Sequence, residues 1–317
     1  METESSEPLL KRMEEAPLEH PLNLAQRPKQ NVVIRLIVSL FLWVTIPFGV
    51  LGAITGQVLS LVLLWPVFWF RPALKVWFLG WILRFSVTCS SFFFNPFWRL
   101  KRVRLVRGDY RPHGRTLVMC NHLTQADPWI FSRGLWPWEF KWVYKADLLR
   151  IPVVGQILRM SHDIPLKFTR DKGGWGTERG QVKVMMDTVY EMGTVYDIGT
   201  VVFPEGTRSK TGRLQPFKDG FFKFAVEHDW EILPCVAHNS QTLWPLSSTL
   251  FGCGTVYFSV GDVIKPEPGE SFESLKYRTR EAMAQLVREM PLFNPETDDP
   301  MAHDADVLER GQGILAR

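Results

Sequence analysis

Two short stretches concentrate the residue types that move protons and hold anions: Asn121-His122-Leu123-Thr124-Gln125-Ala126-Asp127 and Phe203-Pro204-Glu205-Gly206-Thr207-Arg208-Ser209. In the first, a carboxylate follows a histidine by five positions. Histidine is the natural general base, because its unperturbed pKa of about 6.5 lies near working pH. A carboxylate on the other ring nitrogen fixes the tautomer and stabilises the imidazolium that forms. On a straight helix, five residues rotate by about 140° onto another face, so Asp127 reaches His122 only across a turn. Pro128 favours that turn: it disfavours helical geometry at Asp127 and favours a helix starting at itself. The competing reading is that Asp127 merely caps the helix, Asp-Pro being common there.

In the second stretch, Arg208 offers a planar fork to a phosphate, helped by backbone amides of the loop through Gly206 and Thr207. Glu205 can accept a hydrogen bond from a glycerol hydroxyl or hold Arg208 in place. The bland alternative is a surface Glu–Arg pair stiffening a turn. A metal site built from His122, His162-Asp163 and His228-Asp229 is disfavoured, since these lie too far apart for a local site. A base, its orienting group and an anion clamp together suit acyl transfer to a phosphorylated alcohol. A thioester donor needs little activation, whereas the alcohol must lose its proton as it attacks.

Strand-like segments at Thr116–Cys120, Lys141–Tyr144, Ile164–Phe168, Gly199–Phe203, Ile232–Ala237 and Thr255–Val260 must position these groups. Amphipathic stretches separate them. Val182, Met185, Met186 and Val189 recur at helical spacing before Gly193, a candidate C-cap; further helices are expected over Lys218–Asp229 and Ser274–Met290. The alternation predicts an α/β fold with a mainly parallel, covered sheet over residues 101–290. Ligands of such sheets bind beyond the carboxyl ends of the strands, where His122 and Glu205 both fall.

Upstream, the 35 residues between Arg35 and Arg71 carry no charge. One helix of that length would be about 50 Å long, against a hydrocarbon core of roughly 30 Å. Pro47, Gly49, Gly52 and Gly56-Gln57 divide the run into pieces near Leu36–Leu51 and Val58–Phe70. The expectation is a membrane helical hairpin over 31–72, re-entrant or barely spanning. Basic residues (Arg27, Lys29 and Arg35; Arg71 and Lys75) flank both ends, which would lie on the cytosolic side. A buried hairpin of a soluble protein and a single tilted span are the alternatives. Trp77–Trp98, interrupted by Arg84, reads as an interfacial amphipathic helix over 73–100. Trp136, Trp138 and Trp142 are either a second interfacial patch or ordinary core aromatics. Residues 1–30, rich in glutamate, read as a disordered cytosolic tail, and 291–317 as a flexible one.

The formal charge of +4 and pI near 8.9 fit a membrane surface or an anionic substrate, and the scattered basic residues do not form a nucleic-acid stripe. Cys89, Cys120, Cys235 and Cys253 are widely spaced and read as reduced thiols.

The two motifs and their spacing resemble the glycerophospholipid acyltransferase family, particularly 1-acylglycerol-3-phosphate (lysophosphatidic acid) acyltransferases. The family pattern is NHxxxxD, a strand block with an arginine, FPEGTRS, and a proline-centred strand, here Ile232-Leu233-Pro234-Cys235-Val236. Pro216-Phe217-Lys218-Asp219-Gly220 also matches, so the resemblance covers about Arg115 to Val260. The second block departs: in Asp163-Ile164-Pro165-Leu166-Lys167-Phe168-Thr169-Arg170, Phe168 stands at the usual arginine position. Lys167 and Arg170 are the candidates to replace its charge, though lysine is a point charge without a planar fork. The resemblance implies His122 as base on the sn-2 hydroxyl of lysophosphatidic acid and Asp127 as its orienter. Glu205, Gly206, Thr207 and Arg208 would bind glycerol phosphate. It also implies acyl-CoA or acyl-carrier protein as donor, no metal or redox cofactor, and membrane lipids as partners. The endoplasmic reticulum or a bacterial inner membrane would be the location. Another lysophospholipid as acceptor, transacylation between phospholipids, and lipid binding without turnover remain open.

Overall fold

The computed structural model describes residues 30–105, 110–171, 174–177, 180–246 and 248–294. The tails expected at 1–30 and 291–317 lie almost wholly outside these residues; within the second, Phe293 packs on the core.

The apolar run folds as α1 (Val32–Leu63), α2 (Trp65–Phe70) and α3 (Pro72–Thr88), and a π-helical turn over Cys89–Phe93 prolongs α3. The Asn31 side chain accepts from the Val33 N–H at 2.8 Å and starts α1, while Pro66 and Pro72 occupy the first turns of α2 and α3. The break expected between Leu51 and Val58 does not occur. Its glycines are packing notches: a Cβ on Gly49 would lie 2.4 Å from Ser90 Oγ, and one on Gly56 3.0 Å from Ile82. Small residues let apolar helices approach closely. With Gly52 facing Ser86, these pairs run the arms antiparallel, so the hairpin is α1 against α3.

The separate amphipathic helix expected over 73–100 is therefore the second arm of that hairpin. Arg84 does not mark a wet face; it is 8% exposed and hydrogen-bonds Asp163 on the α/β part. Trp98, expected at an interface, is buried in strand β1 (Trp98–Arg104). Val38 and Leu42 dock the other arm into the core, whereas Leu40, Val44, Phe48 and Leu51 stay exposed. Both Val32–Leu63 and Pro72–Phe93 are long and apolar enough to cross a membrane.

The α/β part contains β2 (Thr116–Cys120), β3 (Lys141–Lys145), β4 (Ile164–Leu166), β5 (Phe168–Asp171), β6 (Gly174–Thr177), β7 (Thr200–Val202), β8 (Glu231–His238) and β9 (Gly254–Val260). The main sheet has the order β1-β9-β8-β2-β7-β3-β4. Strands β8, β2, β7, β3 and β4 are parallel, and β9 turns antiparallel to β8 and carries β1 beside it. The strand expected over Ile164–Phe168 is split: β4 ends at Leu166 and Phe168 begins the separate β5–β6 hairpin.

Alternation along the central strands puts Leu117, Met119, Ile232 and Val236 on one face and Val118, Cys120, Leu233 and Cys235 on the other. Helices α6 (Gln181–Thr194), α7 (Gly220–His228) and α8 (Phe272–Arg288) cover the first face. The second lies under α4 (Asp127–Gly134) and the start of α1, with α5 (Val154–Met160) beside the hairpin. Gly193 is not a C-cap, because α6 continues through it. A Cβ there would meet the Trp230 ring at 2.2 Å and the Gly114 carbonyl at 2.3 Å, so only glycine lets α6 pass. Trp142 is buried in β3, and Trp136 packs 5.1 Å from Trp81. The four cysteines are free thiols.

Candidate active site

The central strand β2 ends at Cys120, and the next residue holds its end against β8. Asn121 donates to the Ala237 carbonyl at 2.9 Å and accepts from the Ala237 N–H at 2.8 Å, extending the ladder through a side chain. The chain then turns, and α4 begins at Asp127 with Pro128 in its first turn. That turn brings His122 Nδ1 within 2.7 Å of Asp127 Oδ2. The same oxygen accepts from the N–H groups of Leu123 at 2.6 Å and Thr124 at 2.9 Å. Asp127 thus faces back into the turn and gives α4 no side-chain cap.

Asp127 is fully buried, while the His122 side chain is 21% exposed. With Nδ1 bound to the carboxylate, Nε2 is the nitrogen left to face a ligand. The imidazole stacks on Phe203, with ring centroids 4.2 Å apart and planes 22° from parallel. Phe203 follows β7, the neighbour of β2, so both motifs leave the sheet at the same edge.

Glu205 is 2% exposed. Its Oε1 accepts from the His122 backbone N–H at 2.8 Å, and its Oε2 accepts from the backbone N–H and side-chain amide of Gln215 at 3.0 and 3.3 Å. It makes no ion pair with Arg208 among the described residues. Burial pushes its carboxyl up to about 8, the His122 and Gln215 donors pull it down, and Asp127 pushes it further up. Gly206 has φ 71°, the left-handed turn that glycine adopts without strain. Gly206, Thr207 and Arg208 are exposed, and Arg208 forms no ion pair among the described residues. An anion can therefore reach its guanidinium and the turn together.

Lys167 is exposed just beyond β4, at the carboxyl edge shared with His122. Phe168 packs half-buried on the core. The Arg170 backbone pairs with Trp175 in the β5–β6 hairpin, and its side chain lies outside the described part. No cluster of three or more His, Cys, Asp or Glu side chains among the described residues could hold a metal ion. His228 instead packs against the Tyr190 and Phe224 rings. Sequence reasoning missed Gln215, which grips Glu205 and reaches the Thr207 carbonyl at 2.9 Å. Its ten-residue offset from Glu205 follows no local period, so a single sequence carries no signal for it.

Residues 102–238 match the family model described as Acyltransferase. The chain is 26% identical over 139 residues to the 1-acyl-sn-glycerol-3-phosphate acyltransferase of Limnanthes douglasii, covering 44% of this chain and 46% of that one. It is 28% identical over 182 residues to the Borreliella burgdorferi protein of the same name, with 57% and 66% covered. The Saccharomyces cerevisiae protein of that name is 26% identical over 212 residues, with 62% and 65% covered. The chain thus spans about half the length of the Limnanthes relatives it matches. Its fold is that of the crystal structure of PlsC, the 1-acyl-sn-glycerophosphate (LPA) acyltransferase from Thermotoga maritima. That comparison gives a TM-score of 0.54 at 15% identity, covering 82% of this chain and 99% of that one. Around the His122–Asp127 pair, residues 102–238 of this chain resemble the Acyltransferase family.

Proposed function

We propose that the protein is a membrane-bound O-acyltransferase that moves a fatty acyl group from acyl-CoA to the sn-2 hydroxyl of lysophosphatidic acid, yielding phosphatidic acid. The observation that carries this reading is the 2.7 Å contact from His122 Nδ1 to buried Asp127, which leaves Nε2 as the ring nitrogen for a ligand. His122 Nε2 takes the hydroxyl proton as that oxygen bonds to the thioester carbonyl carbon. The carbon–sulfur bond of the tetrahedral intermediate then breaks, and the thiolate leaves and takes up a proton as free CoA. Asp127 stabilises the imidazolium between these steps. Arg208 and the turn at Gly206 and Thr207 hold the acceptor's phosphate, with Lys167 and Arg170 as the further candidate cations.

The hairpin supports membrane attachment. One side of α1 is packed on the α/β part, and its exposed side is apolar through Leu40, Val44, Phe48 and Leu51. That face lies in the cytosolic leaflet of the endoplasmic reticulum or of a bacterial inner membrane, so a lipid's acyl chain stays in the bilayer while its headgroup reaches Arg208. Purified protein should float with phospholipid vesicles; recovery in the aqueous fraction would reject this placement.

Phe168 favours a second reading. With an apolar, half-buried ring at the family's arginine position, one guanidinium contact is missing. The acceptor then is another lysophospholipid, taken with acyl-CoA or by transacylation. Comparing acceptors with and without a phosphate monoester separates the two. Under the first reading Arg208→Ala raises KM for lysophosphatidic acid about tenfold or more, in line with the 1.5–3 kcal/mol of a charge-assisted hydrogen bond. Indifference to Arg208→Ala would select the second.

A further inference from the structure

The third motif reaches the histidine through its backbone. The His122 N–H donates to Glu205 Oε1 at 2.8 Å, and the His122 carbonyl accepts from the Ser209 N–H at 2.7 Å. Both polar groups of that residue's main chain are thus held by the loop that also carries Arg208. Beneath the ring, Phe203 from the same loop stacks at 4.2 Å.

Glu205 itself has little left to offer a ligand. Its side chain is buried, and both of its carboxyl oxygens are already engaged, Oε1 by the His122 N–H and Oε2 by the backbone and side chain of Gln215. Gln215 is anchored in turn on the Thr207 carbonyl at 2.9 Å. A glycerol hydroxyl arriving at Arg208 meets the exposed residues Gly206 and Thr207 first.

We propose that Glu205 is a positioning residue for the histidine, tying the His122 main chain to the phosphate-binding turn through Gln215, and that it does not contact the acceptor. This rests on reading His122 as the base of acyl transfer. The base and the anion clamp would then be one rigid body, so that an acceptor phosphate bound at Arg208 arrives with its hydroxyl at a fixed distance from Nε2.

The test uses the full-length protein in lipid nanodiscs and the variant Glu205→Gln, with initial rates measured over a range of lysophosphatidic acid. Rates are taken above about pH 8, where the wild-type carboxyl is ionised; an amide has one acceptor oxygen for two backbone donors, so either the His122 or the Gln215 N–H is then left facing an NH2 group. The expected result is a kcat lower by about 10- to 100-fold, the scale of a small misplacement of a reacting group. KM for the acceptor should stay within about twofold of the wild type, since a positioning group adds no ground-state binding. A KM raised tenfold or more at unchanged kcat would overturn the proposal, as would wild-type values of both. If Glu205→Gln does not fold, Gln215→Ala removes only the side-chain anchor. It should lower kcat less while keeping KM, and a raised KM would count equally against the proposal.

Wild-type protein inactive on lysophosphatidic acid would count against the proposed reaction, but would leave this inference open to a readout without turnover. The imidazole signals of the seven histidines can be followed by NMR of labelled protein at fixed pH. Glu205→Gln should move the His122 signal and spare the rest; an unchanged His122 signal would refute the positioning role.

Discussion

At the residue scale, His122 is positioned mostly by other residues' side chains. Asp127 takes its Nδ1, Glu205 its main-chain N–H and Phe203 the face of its ring. The pairing with Asp127 was legible because the five-residue spacing and Pro128 jointly demand a turn. The role of Glu205 was not, since a glutamate in a polar motif gives no sign that folding will bury it. That burial has a measurable consequence. An unfolded glutamate titrates near 4.3, whereas the folded carboxyl is pushed up to about 8 by burial, against the pull of the His122 and Gln215 donors. Asp127 and, from α8, Arg280 also face it. Between about pH 5 and 8 the folded chain therefore holds a proton that the unfolded chain has released. The stability of the wild type should fall with rising pH across that window relative to Glu205→Gln, which cannot titrate. Unfolding curves at several pH values measure the difference; parallel profiles would show that Glu205 titrates at its ordinary pKa.

At the element scale, the central strands were readable from short apolar runs, and the helices from their period. Strand β1 was not, because Arg99, Lys101, Arg102 and Arg104 give it the charged look of a loop. Such residues are tolerated there because β1 is the edge of the sheet. The glycines of α1 were misread for a related reason: a glycine that breaks a helix and one that admits a neighbour look alike until the neighbour is known. A polar tie between hairpin and sheet is equally invisible in sequence. Lys141 is wholly buried and donates to Glu139 and to the Val76 carbonyl of α3 at 2.9 Å each, and to the Ser161 carbonyl at 2.8 Å. Arg84, also from α3, pairs with Asp163, and Gln57 of α1 donates to Ser161 Oγ at 2.8 Å. Gly80 makes room for this cluster, since a Cβ there would sit 1.9 Å from Glu139 Oε1. Arg84→Met leaves Asp163 buried without its cation and should cost about 3–5 kcal/mol. Denaturant unfolding in detergent checks this. A loss below about 1 kcal/mol would mean that the pair is solvated and the hairpin docks by apolar packing alone.

At the scale of the whole molecule, the apolar hairpin and the α/β domain share one core: Val38 and Leu42 lie in the same cluster as Phe131 and Phe258. The sequence suggested an anchor followed by an enzyme, because charge-free length is obvious and the matching face on the sheet is not. What folding adds is a fixed relation between the exposed apolar side of α1 and the site at the carboxyl edge of β2 and β7. A lipid acceptor can be half in the bilayer and half at His122 only if that relation holds. The measurement that tests this account most directly is turnover of lysophosphatidic acid with acyl-CoA by purified, lipid-reconstituted protein, beside His122→Ala and Asp127→Asn. The wild type should form phosphatidic acid. His122→Ala should lose at least the 10²- to 10⁴-fold that a general base contributes, and Asp127→Asn a comparable factor through the wrong tautomer, with both variants folded. Phosphatidic acid formed by His122→Ala at the wild-type rate would contradict the account.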